Sequence, residues 1–460
     1  MWPECQDRPA WKAAVNHVFA MADRMGQSRS LVFCMLALSG LGLPAFAQAQ
    51  VAMTQDIYRN EPASPSIVSS PSEPDVAPAH TAFKKPKVDP YSVTGFDDGV
   101  FSLKPTLEIG AVASDNANLS AAGRQSSIGY YLKPTLDFAT SWPVNQWTGS
   151  ITGNWISFPS TGSADGLSGE AHTDFRLDIR RSIYADFAAS ATVTESAAGQ
   201  NQVPANAITS RRDWTTSTSA AITNDFGGAQ ATVKFGVSRA EYGDVPLSDG
   251  TTQDNAAMNY TEPSATLRGS LDQRDAPFMP YVEVAYTPRF HDENGDSRNS
   301  QGASTSVGIT FNDGPIWQGD IALVGLARQY ADPSLGTVFN AGLNGSVTWS
   351  PTPLWNIVAS STAALNESDI VGVAALPSWI FGINATYAAR DNLLLHAGTS
   401  LTFTGNGSGL DQTTTASLGA DYMFTPHFGV TGTAQSTWFN SSLTPSYDEQ
   451  RLMAGVLLKP

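Results

Sequence analysis

Hydrophobic and polar residues alternate with a period of two along most of the chain after residue 102. In the clearest stretch, Phe175, Leu177 and Ile179 are separated by charged residues at positions 174, 176, 178 and 180. Such alternation places apolar side chains on one face of a β-strand and polar side chains on the other. The runs are roughly 10 to 14 residues long, whereas strands of soluble proteins average about 5–6 and a tilted membrane strand needs about 9–11. The pattern therefore predicts strands that cross a membrane.

The chain accommodates about eighteen such strands. They are predicted at 103–114, 127–142, 146–158, 171–181, 183–195, 212–224, 229–241, 260–272, 279–291, 302–311, 317–330, 339–349, 354–366, 378–388, 392–404, 413–424, 427–439 and 449–459. Short and long connections alternate between them, as do the tight periplasmic turns and longer outer loops of membrane barrels. We therefore predict an all-β fold for residues 100–460, a transmembrane antiparallel up-and-down β-barrel of about 18 strands. An even strand number places both termini in the periplasm.

The apolar phase of these strands fits a lipid-facing surface. It contains no charged residue away from the strand ends, and a Lys or Arg facing lipid at the midplane would cost about 2–4 kcal/mol. Trp379, Phe381 and Ile383 form one such apolar run. Tryptophans near strand ends or turns predict an aromatic girdle at the lipid–water boundary. They are Trp142, Trp147, Trp155, Trp349, Trp355, Trp379 and Trp438.

The N-terminal region resembles an export signal. Arg24 and Arg29 precede a short apolar run at 31–43, and Ala45-Phe46-Ala47 follows it. This order is typical of a cleaved signal peptide over residues 1–47. The long stretch before Arg24 also fits a translation start at Met21 or Met25. Both cysteines of the chain lie before residue 48, so the mature protein would form no disulfide.

Residues 48–99 differ in composition from the predicted barrel. Seven prolines, from Pro62 to Pro90, interrupt a region rich in Ser, Ala and Glu, with a basic cluster at Lys84-Lys85-Pro86-Lys87. Without apolar periodicity the segment cannot bury a core. We predict a disordered periplasmic linker, either passive or able to dock on a partner.

Composition narrows the function classes. The net charge of −16 argues against nucleic acid as a partner. Charged residues are 15% of the chain, which is below the usual quarter of a soluble domain. The acidic balance fits hydrated loops and a water-filled lumen.

Charged residues in the polar phase of the strands are the candidate functional residues, because they would face the lumen. The candidate lumen-lining residues are Lys104, Glu108, Lys133, Asp137, Asp174, Arg176, Asp178, Arg180, Glu262, Arg268, Glu283, Arg289 and Asp421, with Asp186, Lys234, Asp320 and Arg328 in the same phase. Mixed signs would admit polar solutes without a single-sign barrier. The alternative is that these charges pair across strands and only solvate the wall.

No catalytic, metal or cofactor signature is present in the sequence. The histidines form no H-x-x-H or H-E-x-x-H arrangement, which a metal site on one element would need. His172 and Asp174 share a strand face, yet no Ser-His-Asp motif accompanies them. The glycine-rich 405–409 stretch precedes no helix and is interpreted as a loop. We predict no enzyme activity, no cofactor and no metal.

Several short stretches resemble the Putative beta-barrel porin 2 family. Leu103-Lys104-Pro105-Thr106-Leu107 recurs as Leu132-Lys133-Pro134-Thr135-Leu136, and Pro280 to Tyr286 runs on to Arg289 and His291-Asp292. Gly319 to Tyr330, followed by Ala331-Asp332-Pro333, and the turn Trp349-Ser350-Pro351-Thr352-Pro353-Leu354 add to the likeness. The resemblance covers most of residues 100–460 and implies a pore, often associated with exopolysaccharide export beside a periplasmic export protein. The chain departs from barrels with a terminal aromatic residue, because it ends in Leu458-Lys459-Pro460.

The sequence thus predicts a cell outer-membrane pore for polar solutes, with exopolysaccharide export favoured. Its partners would be outer-membrane lipid, a polysaccharide or small polar solute, and a periplasmic polysaccharide-export protein. The alternatives are a general diffusion porin for small solutes, a structural or adhesin-like barrel, and an outer-membrane enzyme that uses His172.

Signal-peptide cleavage after Ala47 gives a first testable prediction. Ala47→Arg should leave residues 1–47 attached, because the cleavage site requires a small residue there. Mass spectrometry of the protein from outer membranes should find Gln48 at the N-terminus of the unaltered protein. Phe46→Tyr, at the unconstrained middle position, is the control and should be processed normally. An unaltered protein that retains residues 1–47 would contradict the prediction.

Overall fold

The computed structural model describes residues 91, 95–161, 166–196, 198, 203–204, 206–271, 278–313, 316–368, 370, 372–443 and 445–460. The predicted signal peptide and nearly all of the predicted linker lie outside these residues. Eighteen long strands among the described residues form one barrel. They are β1 Phe101–Ser114, β2 Ser127–Thr140, β3 Gln146–Ser157, β4 Gly166–Arg180, β5 Ile183–Ser196, β6 Arg211–Asp225, β7 Ala229–Tyr242, β8 Tyr260–Leu271, β9 Phe278–Tyr286, β10 Ser300–Asp313, β11 Trp317–Tyr330, β12 Thr337–Trp349, β13 Trp355–Glu367, β14 Ala375–Arg390, β15 Leu393–Gly405, β16 Leu410–Thr425, β17 Phe428–Asn440 and β18 Tyr447–Leu458.

The barrel is closed and antiparallel, which confirms the predicted fold class. Each strand pairs with the next in the chain, and β18 returns to pair with β1 from Leu107↔Leu458 to Ser114↔Arg451. Closure gives every strand two neighbours and so removes exposed sheet edges. The short connections lie at one end of the barrel, here called the turn end, and the long ones at the opposite loop end.

The observed strand bounds lie within three residues of the predicted ones except at two places. Strand β4 begins at Gly166 rather than at residue 171. The prediction missed its first five residues because Leu167 is the only apolar side chain larger than glycine among them, which leaves no alternation to recognise. Strand β9 ends at Tyr286 rather than at residue 291. The ladder between β8 and β9 stops there because Pro263 and Pro288, which lie beyond Tyr286 in the register, have no backbone N–H to donate. Pairing with β8 resumes at Phe290 and His291.

The outward face of the barrel is apolar and exposed. Phe339, Leu323 and Leu418 are 71%, 67% and 67% exposed, respectively, although burial of each in a soluble protein would stabilise the fold. Contiguous exposure on this scale is typical of a surface that contacts another apolar medium. Among the described residues, none of the helices is long and apolar enough to span a membrane.

Several aromatic side chains contact one another at the turn end of the barrel. This is the position predicted for one of the two aromatic girdles of a membrane barrel. Trp317 stacks on Trp349 with ring centroids 5.4 Å apart, and Trp355 stacks on Tyr387 at 4.6 Å. A further cluster forms around Phe101, which contacts two rings edge to face. These pairs tie neighbouring strands together on the outward face, where cross-strand aromatic contacts stabilise a sheet.

Both ends of the barrel domain meet at the turn end. Residues Phe96–Asp97, assigned above to the end of the linker, form a short strand against β1 at Ser102 and Leu103. Asp98 accepts hydrogen bonds from the backbone N–H groups of Phe101 and Val100, and these bonds lower the pKa of its carboxyl. Lys459 Nζ donates to the carbonyl of Tyr91 at 3.3 Å. The chain therefore enters and leaves the barrel on the same side.

Substitution of two adjacent alanines of β6 would test whether the outward face, and not the inward one, requires apolar side chains. Ala220 is exposed on the outward face, and Ala221 is half-buried on the inward face. Ala220→Arg should lower the free energy of unfolding in lipid vesicles by about 2–4 kcal/mol. Ala221→Arg, its control, should change it by about 0.5 kcal/mol or less. Urea titration of the two variants measures this, and equal losses would count against the face assignment.

Candidate functional site

The predicted lumen residues lie, with one departure, on the inward face of the barrel. Each faces away from the exposed apolar side chains of its own strand; for example, Glu283 lies between Val282 and Val284, which are 42% and 45% exposed. Arg180 is the departure, because a β-bulge separates it from Asp178 and leaves it exposed at the turn end. The residues that follow the inward pattern are Lys104, Glu108, Lys133, Asp137, Asp174, Arg176, Asp178, Asp186, Lys234, Glu262, Arg268, Glu283, Asp320, Arg328 and Asp421. Arg289 lies in the connection between β9 and β10, and its side chain also points inward, toward Glu262. Contact with a solute stays a prediction for all of them.

One inward group combines an arginine with a tyrosine. The Arg268 guanidinium lies 3.5 Å from the centroid of the Tyr281 ring, and its Nη1 is 4.0 Å from Glu283 Oε2. The Tyr281 hydroxyl donates to Asp320 Oδ2 at 2.7 Å. Stacking on an aromatic face and a nearby carboxylate hold the guanidinium against the wall.

Similar pairing recurs on other strands. The Arg176 guanidinium lies 3.7 Å from the Tyr184 ring centroid, and its Nε donates to Asp178 at 2.9 Å. The Tyr131 hydroxyl donates to Glu108 at 2.8 Å. Other predicted residues are direct register partners, namely Lys104 with Asp137, Glu108 with Lys133, and Arg176 with Asp186. The structure thus brings opposite charges together across strands.

Five residues at the loop end form a buried ionic cluster, here called the lock. Its members are Glu262, Arg289, His291, Arg328 and Glu367. Each of these side chains is at most 6% exposed. Burying an ionised group costs several kcal/mol unless it is paired, so the members must satisfy one another.

Glu262 and Glu367 each bind more than one member of the lock. Arg289 Nε and Arg328 Nη2 donate to the same Glu262 oxygen at 2.8 and 2.7 Å. Arg289 Nη1 also donates to Glu367 Oε1. His291 Nε2 lies 3.2 Å from Glu367 Oε2. Because its members come from β8, the β9–β10 connection, β11 and β13, the lock crosses the inward face of β10 to β12.

Surrounding groups complete the lock. The Arg289 guanidinium lies 4.0 Å from the Tyr260 ring centroid, and Arg328 Nη1 donates to Ser300 Oγ at 2.9 Å. Gly302 leaves room for this packing. A Cβ atom at that position would lie 2.2 Å from the Thr287 carbonyl oxygen and 2.8 Å from Arg328 Nη2.

Part of the β13–β14 hairpin turns into the barrel at the loop end. Residues 362–367 and 375–379 are here called the inturned hairpin. The β12–β13 ladder ends at Gly345↔Ser361, where Gly345 adopts φ +139°, a value that favours glycine. Beyond this point Ala363 packs in one cluster with Val324 and Val338 from the inward faces of β11 and β12. The hairpin therefore passes on the inner side of β12.

Glycine on β12 confirms this placement. A Cβ atom on Gly342 would point inward, since Phe339 and Leu343 are exposed on the outward face, and it would lie 2.7 Å from Ala363 Cβ. Trp379, predicted on the outward face with Phe381 and Ile383, instead packs against the inner cluster. That expectation was wrong. Trp379 keeps the same phase as Phe381 and Ile383, but this part of the hairpin lies on the inner side of β12, so the outward-phase side chain contacts the inward face of β12 instead of lipid.

Side-chain hydrogen bonds replace the missing ladder. Trp379 Nε1 donates to the carbonyl of Ala341 at 2.8 Å, and Ser361 Oγ donates to that of Leu343 at 2.8 Å. Asn340 Nδ2 donates to the Ala364 carbonyl at 2.6 Å. Backbone groups that would otherwise be orphaned are thereby satisfied.

A small cavity of about 100 Å³ lies on the inward face of β7 to β12. Its lining is mostly polar. The lining residues are Lys234, Thr266, Glu283, Ala285, Ser304, Ser306, Val324 and Asn344. Among the described residues there is no cluster of three or more potential metal ligands.

Sequence reasoning missed Glu367 and His291 as members of the site. Glu367 follows directly on the predicted strand 354–366, in the apolar phase that Ala363 and Leu365 continue. An acidic residue in an apolar phase was a usable signal. His291 lies in the same phase of the predicted strand 279–291 as Glu283 and Arg289, but no local pattern predicts its contact with Glu367, which lies 76 positions later.

The ion pair between Arg239 and Asp292, at the exposed rim of the loop end, is less buried than the lock. Arg239 Nη1 donates to Asp292 at 2.6 Å, and this bond lowers the pKa of the Asp292 carboxyl. Both side chains remain partly exposed, at 29% and 44%. Exposed pairs of this kind contribute little to stability, so the rim is not expected to fix the loop end as the lock does.

Comparison with known families gives one match. The model of a family described as "Putative beta-barrel porin 2" matches residues 89–460, which is the whole barrel. None of the curated protein sequences compared with the chain matches it.

Several solved structures resemble this chain at low similarity. The FrpB iron transporter from Neisseria meningitidis (F3-3 variant) is 11% identical, with a TM-score of 0.36; the match covers 75% of this chain and 62% of that one. Pseudomonas aeruginosa OccK2 (OpdF) in complex with glucuronate is 10% identical over 77% and 98% of the two chains, with a TM-score of 0.36. Acinetobacter baumannii OccAB3 is 10% identical over 77% and 99%, also with a TM-score of 0.36. The chain thus spans less than two thirds of the length of the iron transporter.

Gly302 provides a test of the packing around the lock. Gly302→Ala should lower the free energy of unfolding by about 1–3 kcal/mol, because the added Cβ displaces Arg328 or Thr287. Gly325→Ala on β11 is the matched control, since its Cβ would meet no atom within 4 Å. It should leave stability unchanged or raise it by up to about 1 kcal/mol. Equal urea midpoints for the two variants would contradict the tight packing.

Proposed function

The chain belongs to the Putative beta-barrel porin 2 family, and from that membership we propose an outer-membrane pore that exports an exopolysaccharide. The observation that carries the proposal is the division of the wall into an exposed apolar outward face and a charged, hydroxyl-rich inward face. An eighteen-stranded barrel is wide enough to hold water. The inward charges named above, apart from the buried members of the lock, are proposed to line the solute path.

The chemistry of the inward face favours an uncharged or weakly charged hydroxylated solute. Charges of both signs alternate around the wall, so no ring of one sign would repel a passing polymer. The small inward cavity offers serine and threonine hydroxyls, an amide, one ammonium group and the Glu283 carboxylate. Such groups donate and accept hydrogen bonds with sugar hydroxyls.

The arrangement of the chain ends supports an orientation. The hydrogen bond between Lys459 and the Tyr91 carbonyl places both ends at the turn end, which corresponds to the periplasmic side of membrane barrels. Residues 1–47 are proposed as the signal peptide and 48–94 as a periplasmic linker. A linker on that side can reach a periplasmic polysaccharide-export protein.

The second candidate is a general diffusion porin for small solutes. The same inward face, with charges of both signs, supports this alternative, because such a surface would admit polar solutes in general without binding a particular ligand. An adhesin-like barrel would depend on the loops, and an enzyme on His172.

Deletion of the gene tests the proposal. The mutant should lose most extracellular polysaccharide, and the unaltered gene should restore it, while uptake of small sugars and amino acids stays unchanged. The His172→Ala variant should complement fully, because no reaction depends on the imidazole. Assay of secreted polysaccharide and of radiolabelled solute uptake gives both readouts.

Conductance in planar bilayers separates the alternatives. Normal secretion with impaired small-solute uptake and a steady conductance would replace the export proposal by a diffusion porin. Loss of surface adhesion alone, with no conductance under any condition, would favour the adhesin-like barrel. Failure of His172→Ala to complement would favour an enzyme.

A further inference from the structure

We propose that the inturned hairpin is a gate, which moves between its position inside the barrel and a position within the wall beside β12. The closed state is the one described above, held by the lock. In the open state, residues 362–367 would continue the β12–β13 ladder to the loop end. The effect on conductance rests on the proposed pore function, whereas the movement itself does not.

The wall contains a place for the hairpin. Continuing the observed register beyond Gly345↔Ser361 would pair Leu343 with Ala363 and Ala341 with Leu365. The backbone groups of β12 needed for this pairing are now bonded to side chains, namely those of Trp379 and Ser361. These bonds can be exchanged for backbone bonds without leaving polar groups unsatisfied.

The side-chain pattern of the hairpin fits both positions. In the wall, Ala363, Leu365 and Trp379 would point outward, in phase with the exposed Phe381 and Ile383. The intervening residues would point inward; they include the polar Thr362, Asn366 and Ser378 and the apolar Ala364 and Leu376. In the closed state the same apolar side chains instead pack against the inward cluster of β11 and β12. One period-two sequence therefore satisfies two packings, as a bistable element requires.

The hairpin can move as a unit. The β13–β14 ladder is continuous from Trp355↔Tyr387 to Glu367↔Ala375, so no bond within the hairpin needs to break. The hinge would lie at Ser361 and Gly345, where the β12–β13 ladder now ends, and on β14 at Ser378, where the ladder to β15 begins. Gly345 already has a backbone conformation that residues with a side chain rarely adopt.

Glu367 connects the hairpin to the lock. Its carboxylate binds Arg289 and lies beside His291, and its side chain is 1% exposed. In the open state this residue would lie opposite Phe339 on the outward face, two residues from the loop-end limit of β12 at Thr337, where water at the membrane boundary can solvate its charge. Removing that charge weakens the closed state and leaves the ladder of the open state unaffected.

Two engineered disulfides distinguish the states, in the full chain with Cys5→Ser and Cys34→Ser. The closed pair is Gly342→Cys with Ala363→Cys, because a Cβ at position 342 lies 2.7 Å from Ala363 Cβ, and a small shift would reach the roughly 3.5–4.5 Å of a disulfide. The open pair is Leu343→Cys with Ala363→Cys. Leu343 points outward while Ala363 lies inside β12, so this bond requires the hairpin to enter the wall.

Cross-linking rates in outer membranes test the movement. With Glu367 present, the closed pair should form quickly on mild oxidation and the open pair slowly. Glu367→Gln should accelerate the open pair about tenfold or more, as expected for loss of a charged hydrogen bond. The matched control is Glu449→Gln, a buried carboxylate that pairs with Arg451 at 2.9 Å in the continuous β18 ladder, and it should change neither rate. An open-pair rate that Glu367→Gln leaves unchanged would overturn the proposal.

Conductance of the cross-linked proteins tests whether the movement gates a pore. The open-pair disulfide should give a conductance about tenfold or more above that of the closed pair, and reduction should abolish the difference. The pair Ala397→Cys with Leu418→Cys, which joins strands already paired, should behave the same when oxidised or reduced. Cross-links that form as expected but with equal conductance would overturn the gate. If conductance follows the cross-link while gene deletion spares polysaccharide secretion, only the export proposal fails.

Discussion

Every strand of the wall depends on one requirement, that backbone N–H and C=O groups removed from water find a hydrogen-bond partner. Closure from β1 to β18 meets it for the barrel as a whole. Between β12 and β13 at the loop end, where the backbone ladder is missing, side chains satisfy the backbone carbonyl groups instead. The donors are Trp379, Ser361 and Asn340. A strand can therefore leave the wall only where side chains are placed to take over its bonds.

The inward face shows how a barrel can be polar without a strong net field. Arg268 stacks on Tyr281 near Glu283, and Arg176 stacks on Tyr184. Local compensation of this kind supports the interpretation that many inward charges pair across strands. The same arrangement leaves a surface that offers hydrogen bonds to a solute and no dominant charge, so the two interpretations are compatible.

The period of two was sufficient to predict the strands, the faces and the closed architecture. It also placed Glu262, Arg289 and Arg328 on the inward face. It could not predict the inturned hairpin, because alternation identifies two faces of a strand and does not say whether the strand lies beside or inside its neighbour. The contact of Arg289 with Glu367 joins residues 78 positions apart, and no local pattern encodes such a distance.

The pairing of β1 with β18 has a consequence for assembly. Ser114 donates to Glu449 across 335 positions of sequence, so the final seam joins the first and last strands of the barrel. Forming contacts so distant along a chain is slow, because the intervening loop must lose its entropy first. The sheet therefore has two unpaired edges until β18 is available, and the barrel can close only when all eighteen strands are present.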